Sequence, residues 1–397
     1  MRKRIASAAA VMAAALLLSA CVGGADGKGE AEGDLVGKGK GDKCKISDNV
    51  KIGSVFSLTE AAAFAGQYQK EGLELAFKEL NQKDGVNYDL TVLDDKTNVE
   101  ESVKAFEDLI DNEKVSAIVG PTLSNQAFST FEDAQQAGVP ALGVSTTAEG
   151  IPDIGEYIFR NSLPEQFALE ESIPAAKDAL DLKNVAILSD EKDEFTSSAY
   201  KTMSEKLEDE KIKVDVDEKF STGDKEFRSQ LTKVKDSDPE ALVLSALPNE
   251  TIPLVKQARE LGIDAPIIGG NAFNSPVLVN KLGKAAESLI VGGAWSAEAD
   301  TKGNKEFIEA YKSAYKDKDG NPKEPDQFAA QAYTAAYMID EAVRTDCDAT
   351  RDAIKDNLGQ ILKFKTVLGE ISLDESGEVT QDPIVQIVKD GKLTPLK

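Results

Sequence analysis

From Asn49 onward, short apolar runs rich in β-branched residues alternate with longer stretches whose apolar residues recur at helical spacing. The short runs predict buried strands, and the longer stretches predict amphipathic helices. The predicted strands are residues 50–56, 88–94, 116–120, 140–145, 184–189, 212–220, 241–246 and 266–269. This alternation predicts an α/β fold with parallel-rich sheets covered by helices on both faces.

The helical spacing is clearest in residues 67–80 and 99–110. Leu73, Phe77 and Leu80 lie on one face of the first stretch, and Phe106 and Ile110 share a face of the second. Ligands of such folds bind at the carboxyl ends of the strands. The turns that follow the predicted strands are therefore the places to search for a site.

The N-terminal residues have the pattern of an export signal. A basic start, Met1-Arg2-Lys3-Arg4, precedes a small and apolar run that ends in Leu18-Ser19-Ala20-Cys21. These last residues resemble the lipobox of bacterial lipoproteins, which implies that residues 1–21 are a signal peptide and that Cys21 is the lipidated residue. A secretory signal that ends near a cysteine by coincidence is the alternative. Residues 22–48 are rich in glycine and charge, which predicts a flexible tether.

Composition removes several classes of function. The chain has 46 Lys and Arg against 70 Asp and Glu, a formal net charge of -24, which argues against a nucleic-acid partner. It has no histidine, so Ser-His-Asp catalysis, Cys-His catalysis and imidazole zinc sites are excluded. The sequence gives no reason to expect a metal or another cofactor.

Three turns after predicted strands carry a recognisable pattern. They are Gly120-Pro121-Thr122-Leu123-Ser124-Asn125, residues 143–151 and residues 269–276. Together with residues 71–76 and 256–262, they resemble the substrate-binding lipoproteins of ABC importers for branched-chain amino acids and related ligands. The resemblance extends in order from residue 50 to residue 397.

The resemblance implies a Venus-flytrap fold, the type I periplasmic binding protein architecture. Two Rossmann-like lobes would be joined by three hinge crossovers, near Leu163, Gly270 and Gly369. The first lobe would hold residues 49–163 and 271–368, and the second lobe residues 164–270 and 369–397. Ligand enclosed between the lobes would shift an equilibrium from an open to a closed form.

Hydroxyl-bearing residues in two turns are the expected contacts for the ligand carboxylate. Ser124 opens a predicted helix, whose N-terminal N–H groups and dipole favour an anion. By resemblance, Thr147 binds ligand through its side chain, and Ser145 and Thr146 contribute backbone groups. The alternatives are a simple helix cap at Ser124 and a hydroxyl-rich turn at residues 145–147.

The ammonium group of an amino acid needs a charge partner or several acceptors, and its partner is not evident. Asn271 stands where several members of the family have an acidic residue. Glu60, Asp190 and Asp193 are the nearest alternative carboxylates, although solvated loop positions are the usual place for such residues.

Aromatic residues are the expected walls of the cleft. Phe64, Phe195 and Phe328 lie at or beside the ligand-facing aromatic positions of the family. Such walls favour an apolar ligand side chain. Core packing is the alternative role for each of them.

Cys44 and Cys347 are expected in the same lobe. An exported protein meets an oxidising environment, so these two cysteines are candidates for a disulfide, with two free thiols as the alternative.

Three functions remain open at this point. The favoured hypothesis is a monomeric, non-enzymatic lipoprotein that binds a branched-chain or related small apolar amino acid or amide. It would be exported, anchored by its lipid to the outer face of the cell membrane or periplasmic, and would deliver its ligand to an ABC permease and its ATPase. A ligand-sensing ectodomain of the same fold and a secreted hydrolase are the alternatives.

Overall fold

A computed structural model describes residues 35–396. The expected signal peptide at residues 1–21 and the expected lipidation site Cys21 lie outside the described residues. In the described part of the chain, no helix is long and apolar enough to cross a membrane.

The first lobe is built on a five-stranded parallel sheet with strand order β2-β1-β3-β4-β5. Alternate residues of each strand face two different cores, because successive side chains of a strand point to opposite faces. Ala117 and Val119 pack into one core and Ile118 into the other. The elements in chain order are β1 (Val50–Phe56), α1 (Ala63–Leu80), β2 (Tyr88–Asp94), α2 (Val99–Glu107), β3 (Ala117–Val119), α3 (Ser124–Gln136), β4 (Ala141–Gly143) and β5 (Ile158–Arg160).

The second lobe is built on a seven-stranded sheet. Its next elements are α4 (Glu165–Leu180), β6 (Asn184–Asp190), α5 (Glu194–Asp209), β7 (Lys213–Phe220), α6 (Arg228–Ser237), β8 (Ala241–Ser245), α7 (Pro248–Glu260), β9 (Ile267–Gly269), α8 (Pro276–Leu282) and β10 (Leu289–Gly293). Strand β8 lies between β9 and β6 in the sheet and is fully buried, with Leu242 facing one core and Val243 the other. Helices therefore cover both faces of this sheet, as the alternation of elements predicts.

The chain then returns to the first lobe and finally to the second. The remaining elements are α9 (Asn304–Ala314), α10 (Gln327–Asp346), α11 (Arg351–Leu358), β11 (Phe364–Thr366), β12 (Gly369–Leu373), β13 (Val379–Thr380), β14 (Ile384–Lys389) and β15 (Lys392–Pro395). Helix α10 packs along α1, and β11, β12 and β13 form a small antiparallel sheet. Strands β14 and β15 complete the seven-stranded sheet, whose order is β15-β14-β10-β9-β8-β6-β7.

Two of the three expected crossovers differ from the observed chain path. Residues 271–293 were expected in the first lobe, but β10 pairs with β9 in the second sheet, because its apolar residues are buried between β9 and β14. Residues 369–380 were expected in the second lobe, but Ile371 and Val379 pack into the core of the first. The crossovers therefore lie near Leu163, after Gly293 and between Thr380 and Ile384.

The prediction of a flexible tether is wrong for residues 35–48, which pack against the first lobe. The Gly37 N–H donates to the Cys347 carbonyl at 2.7 Å, and the Ala349 N–H donates to the Leu35 carbonyl at 3.1 Å. Cys44 and Cys347 form a disulfide with their Cα atoms 5.2 Å apart, and both are fully buried. The glycine and charge content of the segment predicted mobility, whereas these long-range contacts hold residues 35–48 in place.

Candidate functional site

A cavity lies between the two lobes at the carboxyl ends of several strands, where α/β sheets place their ligands. Its empty space, including the part open to solvent, is about 510 Å³. Both lobes and the crossover region contribute to its wall. The lining residues are Phe64, Ala65, Thr122, Leu123, Ser124, Ser145, Thr147, Asp193, Phe195, Leu247, Pro248, Asn271, Ala272, Gln327, Phe328 and Gln331.

Ser124 and Thr147 form the polar wall contributed by the first lobe. Ser124 is the first residue of α3, where the opening N–H groups have no acceptor within the helix. Its Oγ accepts a hydrogen bond from the Ala148 N–H at 3.2 Å, which ties the helix start to the turn after β4. Thr147 lies in that turn and is 5% exposed. This wall therefore suits an anion such as a carboxylate, because the helix dipole adds to the free donors.

Ser145 lines the cavity, but its hydroxyl forms hydrogen bonds with other residues of the protein. It accepts a hydrogen bond from Gln69 Nε2 at 2.5 Å and donates to the Thr122 carbonyl at 2.5 Å. Thr146, also expected to contact ligand, is fully buried and does not line the cavity. Its carbonyl accepts a hydrogen bond from Arg160 Nη1 at 2.8 Å, so the residue faces the interior of the lobe.

The apolar walls come from both lobes. The rings of Phe64 and Phe328 meet edge to face, with their centroids 5.9 Å apart. Phe195 faces them from the start of α5 and is 8% exposed. Leu247 and Pro248, at the start of α7, extend the apolar surface and were not predicted from the sequence. The three expected aromatic residues thus meet around one cavity.

Asn271 lines the cavity but directs its amide group into the crossover region. Its Nδ2 donates to the Leu163 carbonyl at 3.0 Å and to Glu165 Oε2 at 2.9 Å, and its Oδ1 accepts from Gln327 Nε2 at 3.1 Å. Burial raises the pKa of the Glu165 carboxyl to about 7, against the lowering effect of its hydrogen bonds from Asn271. Asn271 therefore joins the crossover near Leu163 to the start of α10. Its partner Glu165 was not predicted from the sequence.

Of the three candidate carboxylates, one lines the cavity. Glu60 is exposed and lies outside the lining, in a loop where it has a φ of 62°. Asp190 is buried away from the cavity, and its carboxylate accepts hydrogen bonds from the Thr222 hydroxyl at 2.6 Å and the Lys192 N–H at 2.9 Å. Asp193 is on the cavity wall. Burial raises the pKa of the Asp193 carboxyl to about 6, and the nearby Asp190 and Glu194 add to this effect.

Gln331 is a lining residue that the sequence analysis missed. It lies one turn after Gln327 on α10 and is fully buried. Neither Nε2 nor Oε1 of its side chain has a hydrogen-bond partner among the described residues. A buried amide without partners is costly unless something else satisfies it, so this side chain is suited to a polar group within the cavity. A polar residue in an otherwise alanine-rich buried helix was the available signal.

The lobes also touch at the mouth of the cavity. The Glu149 N–H donates to Ser198 Oγ at 3.2 Å, and Lys201 Nζ lies 2.9 Å from the Glu149 carboxylate. Asn249 Nδ2 donates to the Ala61 carbonyl at 3.1 Å. These pairs join residues of the first lobe to the starts of α5 and α7, so the structure has the lobes closed over the cavity.

Comparison with known proteins gives a consistent result. The sequence pattern of the periplasmic binding protein family matches residues 49–392. The chain is 25% identical over 341 residues to the leucine-, isoleucine-, valine-, threonine- and alanine-binding protein of Pseudomonas aeruginosa, covering 84% of this chain and 88% of the relative.

Solved structures agree in fold. The leucine-binding protein LivK of Thermotoga maritima superposes with a TM-score of 0.81 at 25% identity, covering 87% of this chain and 97% of that one. The substrate-binding protein LivJ of Streptococcus pneumoniae, in complex with isoleucine, gives a TM-score of 0.80 at 28% identity and covers 87% and 98%. Both are binding proteins with the same two-lobe α/β architecture.

Proposed function

The chain belongs to the periplasmic binding protein family, and on that premise we propose that it captures one apolar α-amino acid between its lobes and delivers it to an ABC permease. The observation that carries the proposal is the cavity, which pairs an anion-binding helix start with walls of phenylalanine, leucine and proline. The Pseudomonas aeruginosa relative is named for five amino acids, and the Streptococcus pneumoniae protein holds isoleucine.

The two ends of such a ligand would meet different chemistry. The carboxylate would bind at Ser124 and Thr147, where the N-terminus of α3 favours negative charge. The side chain would lie against Phe64, Phe195 and Phe328, because burial of apolar surface against aromatic rings is favourable. This division favours the branched-chain amino acids and their close analogues.

Binding is coupled to closure of the lobes. A ligand that contacts both lobes stabilises the closed form over the open one by its differential affinity for the two. The contacts at the cavity mouth form only when the lobes approach, so they add to this preference. The closed form would then dock on the permease, which works with its ATPase to import the ligand.

The test is substitution of the two hydroxyl residues. Ser124→Ala and Thr147→Ala should each raise the Kd for L-leucine or L-isoleucine about ten- to hundredfold, because each removes a hydrogen bond to a charged group, worth about 1.5–3 kcal/mol. Isothermal titration calorimetry measures the change. Ser129→Ala, at an exposed position of the same helix, is the matched control and should bind as the unaltered protein does. Unaltered affinity in both test variants would refute the carboxylate site.

We propose further that the protein is exported and held at the outer face of the cell membrane by a lipid on Cys21. The support is the sequence Leu18-Ser19-Ala20-Cys21 after a basic and apolar segment. Cys21→Ala should release the protein from the membrane fraction into the soluble one, because a lipid chain is then absent. Fractionation followed by immunoblotting reads this out, and a variant that stays in the membrane pellet would contradict the anchor.

A further inference from the structure

Asp193 differs in charge from every other described residue that lines the cavity. The other described lining residues have apolar, hydroxyl or amide side chains, so Asp193 supplies the one formal charge of the described cavity wall. A zwitterionic ligand has its carboxylate satisfied at the start of α3. Its ammonium, enclosed in the same cavity, requires an anion or several acceptors, because an unpaired buried charge is strongly unfavourable.

The surroundings of Asp193 leave its charge uncompensated by the protein. Its Oδ1 caps α5 by accepting a hydrogen bond from the Thr196 N–H at 3.2 Å. The charged groups acting on it are the carboxylates of Asp190, Glu194 and Glu250. In the described part of the chain, Asp193 forms no salt bridge with a lysine or arginine. A carboxylate that is 8% exposed, and surrounded by others of the same sign, is therefore poised to accept a cation.

Two other acidic groups near the cleft, Glu165 and Asp190, are held by hydrogen bonds away from the cavity. Glu165 lies behind Asn271 and accepts hydrogen bonds from the Asn271 amide and N–H, at 2.9 and 3.0 Å. Asp190 is satisfied by Thr222 and the Lys192 N–H. Neither of these carboxylates lines the cavity.

We propose that Asp193 is the counter-charge for the ligand ammonium, and that it makes the protein select amino acids over carboxylates that lack the amine. The inference rests on the proposed function of the cavity. Ser124 and Thr147 belong to the first lobe and Asp193 to the second, so the two charges of one zwitterion bridge the lobes. An intact amino acid thereby contacts the first lobe through its carboxylate and the second lobe through its ammonium, and both contacts favour the closed form.

The experiment compares amino acids with their deaminated counterparts. Isothermal titration calorimetry at pH 7.5 uses L-leucine with 4-methylpentanoate and L-valine with 3-methylbutanoate. In Asp193→Asn the Kd for the amino acids should rise at least about thirtyfold, as expected when one partner of an enclosed charge pair is removed. The Kd for the deaminated acids should change by less than about threefold. Glu194→Gln removes an exposed neighbouring charge on the same helix and should alter neither.

Folding is checked separately. Asparagine also caps helices, and the substitution removes an ionised carboxyl whose pKa is raised in the folded state. A carboxyl whose pKa is higher in the folded than in the unfolded protein lowers the stability of the folded protein once the pH is above both values. At pH 7.5 the Asp193→Asn variant should therefore unfold at no lower temperature than the unaltered protein. Asp193→Ser keeps a capping oxygen as well and serves as a second variant, with the same expected loss of amino-acid affinity.

A pH series provides an independent readout. Protonation of Asp193 would weaken leucine binding progressively below pH of about 6, where the carboxyl gains its proton. In Asp193→Asn this dependence should disappear. If it persists in the variant, another group is responsible and the assignment is overturned.

The remaining outcomes separate the inference from its premise. Leucine binding by Asp193→Asn within about threefold of the unaltered protein would overturn the role of Asp193 while leaving the proposed function intact. Equal affinity of the unaltered protein for leucine and 4-methylpentanoate would do the same. If the unaltered protein binds none of the four probes, or if neither Ser124→Ala nor Thr147→Ala alters their binding, the proposed function itself fails.

Discussion

Replacing Arg160 with methionine should lower the free energy of unfolding by about 3–5 kcal/mol, because it removes one partner of a mostly buried ion pair. Arg160 is 1% exposed. Its Nε donates to Glu378 Oε1 at 2.7 Å and its Nη2 donates to Glu378 Oε2. Without the guanidinium, Glu378, whose side chain is 21% exposed, loses its cationic partner and retains the Val379 N–H, at 2.9 Å, as a hydrogen-bond donor.

The same substitution should weaken ligand binding. Arg160 Nη1 donates to the carbonyls of Thr146 and Ala148, at 2.8 and 2.7 Å, and so holds the turn on both sides of Thr147. Without these two hydrogen bonds the turn that carries Thr147 is less restricted in the free protein. Ligand binding must then order this turn, and the entropy lost in doing so reduces the affinity. Arg160→Lys keeps the charge but lacks the forked donors, so both effects should be intermediate.

Urea unfolding followed by circular dichroism, and calorimetry with L-leucine, measure the two effects. Arg228→Met is the control, because Arg228 pairs with Glu226 and Glu260 on the surface, where such pairs contribute at most about 1 kcal/mol. If Arg160→Met loses less than about 1 kcal/mol, the ion pair is not the stabilising element inferred here.

Removing the disulfide, as Cys44→Ala with Cys347→Ala, should lower the free energy of unfolding by about 2–5 kcal/mol. The two residues are 303 positions apart, so the bond restricts a very long loop of the unfolded chain. It also fastens residues 35–48 to the end of α10. Ligand affinity should be unchanged, because neither cysteine lines the cavity.

The measurement is again urea unfolding, in parallel with thiol labelling of the denatured, unreduced protein. Lys40→Ala is the matched control, because Lys40 joins the same segment to Asp346 through an exposed ion pair, which should contribute little. Complete labelling of Cys44 and Cys347 in the unaltered protein would show that they are free thiols.

The sequence by itself determined the elements whose signals are local. Val50–Phe56 and Tyr88–Asp94 are strands with the predicted bounds, because runs rich in apolar and β-branched residues favour an extended chain. Ser124 begins α3 as predicted, but its hydroxyl accepts the Ala148 N–H and does not cap the first turn of its own helix. The shared pattern of three turns then indicated the family.

Tertiary structure decided which of several similar residues face the ligand. Glu60, Asp190 and Asp193 all lie at or just after strand ends and are chemically alike, but the packing of the lobes leaves only Asp193 of the three on the cavity wall. Gln331 became a candidate because residues 35–396 offer the amide of its side chain no hydrogen-bond partner.

The position of β10 shows that the lobe to which a whole strand belongs is also decided by tertiary contacts. Its apolar residues 289–291 fit a strand of either lobe, and only pairing with β9 and β14 assigns it to the second. Periodicity in a sequence reports whether a side chain is buried against something, since burial depends on the local pattern of apolar residues. Periodicity does not show which element the side chain packs against, because that depends on contacts between residues far apart in the chain.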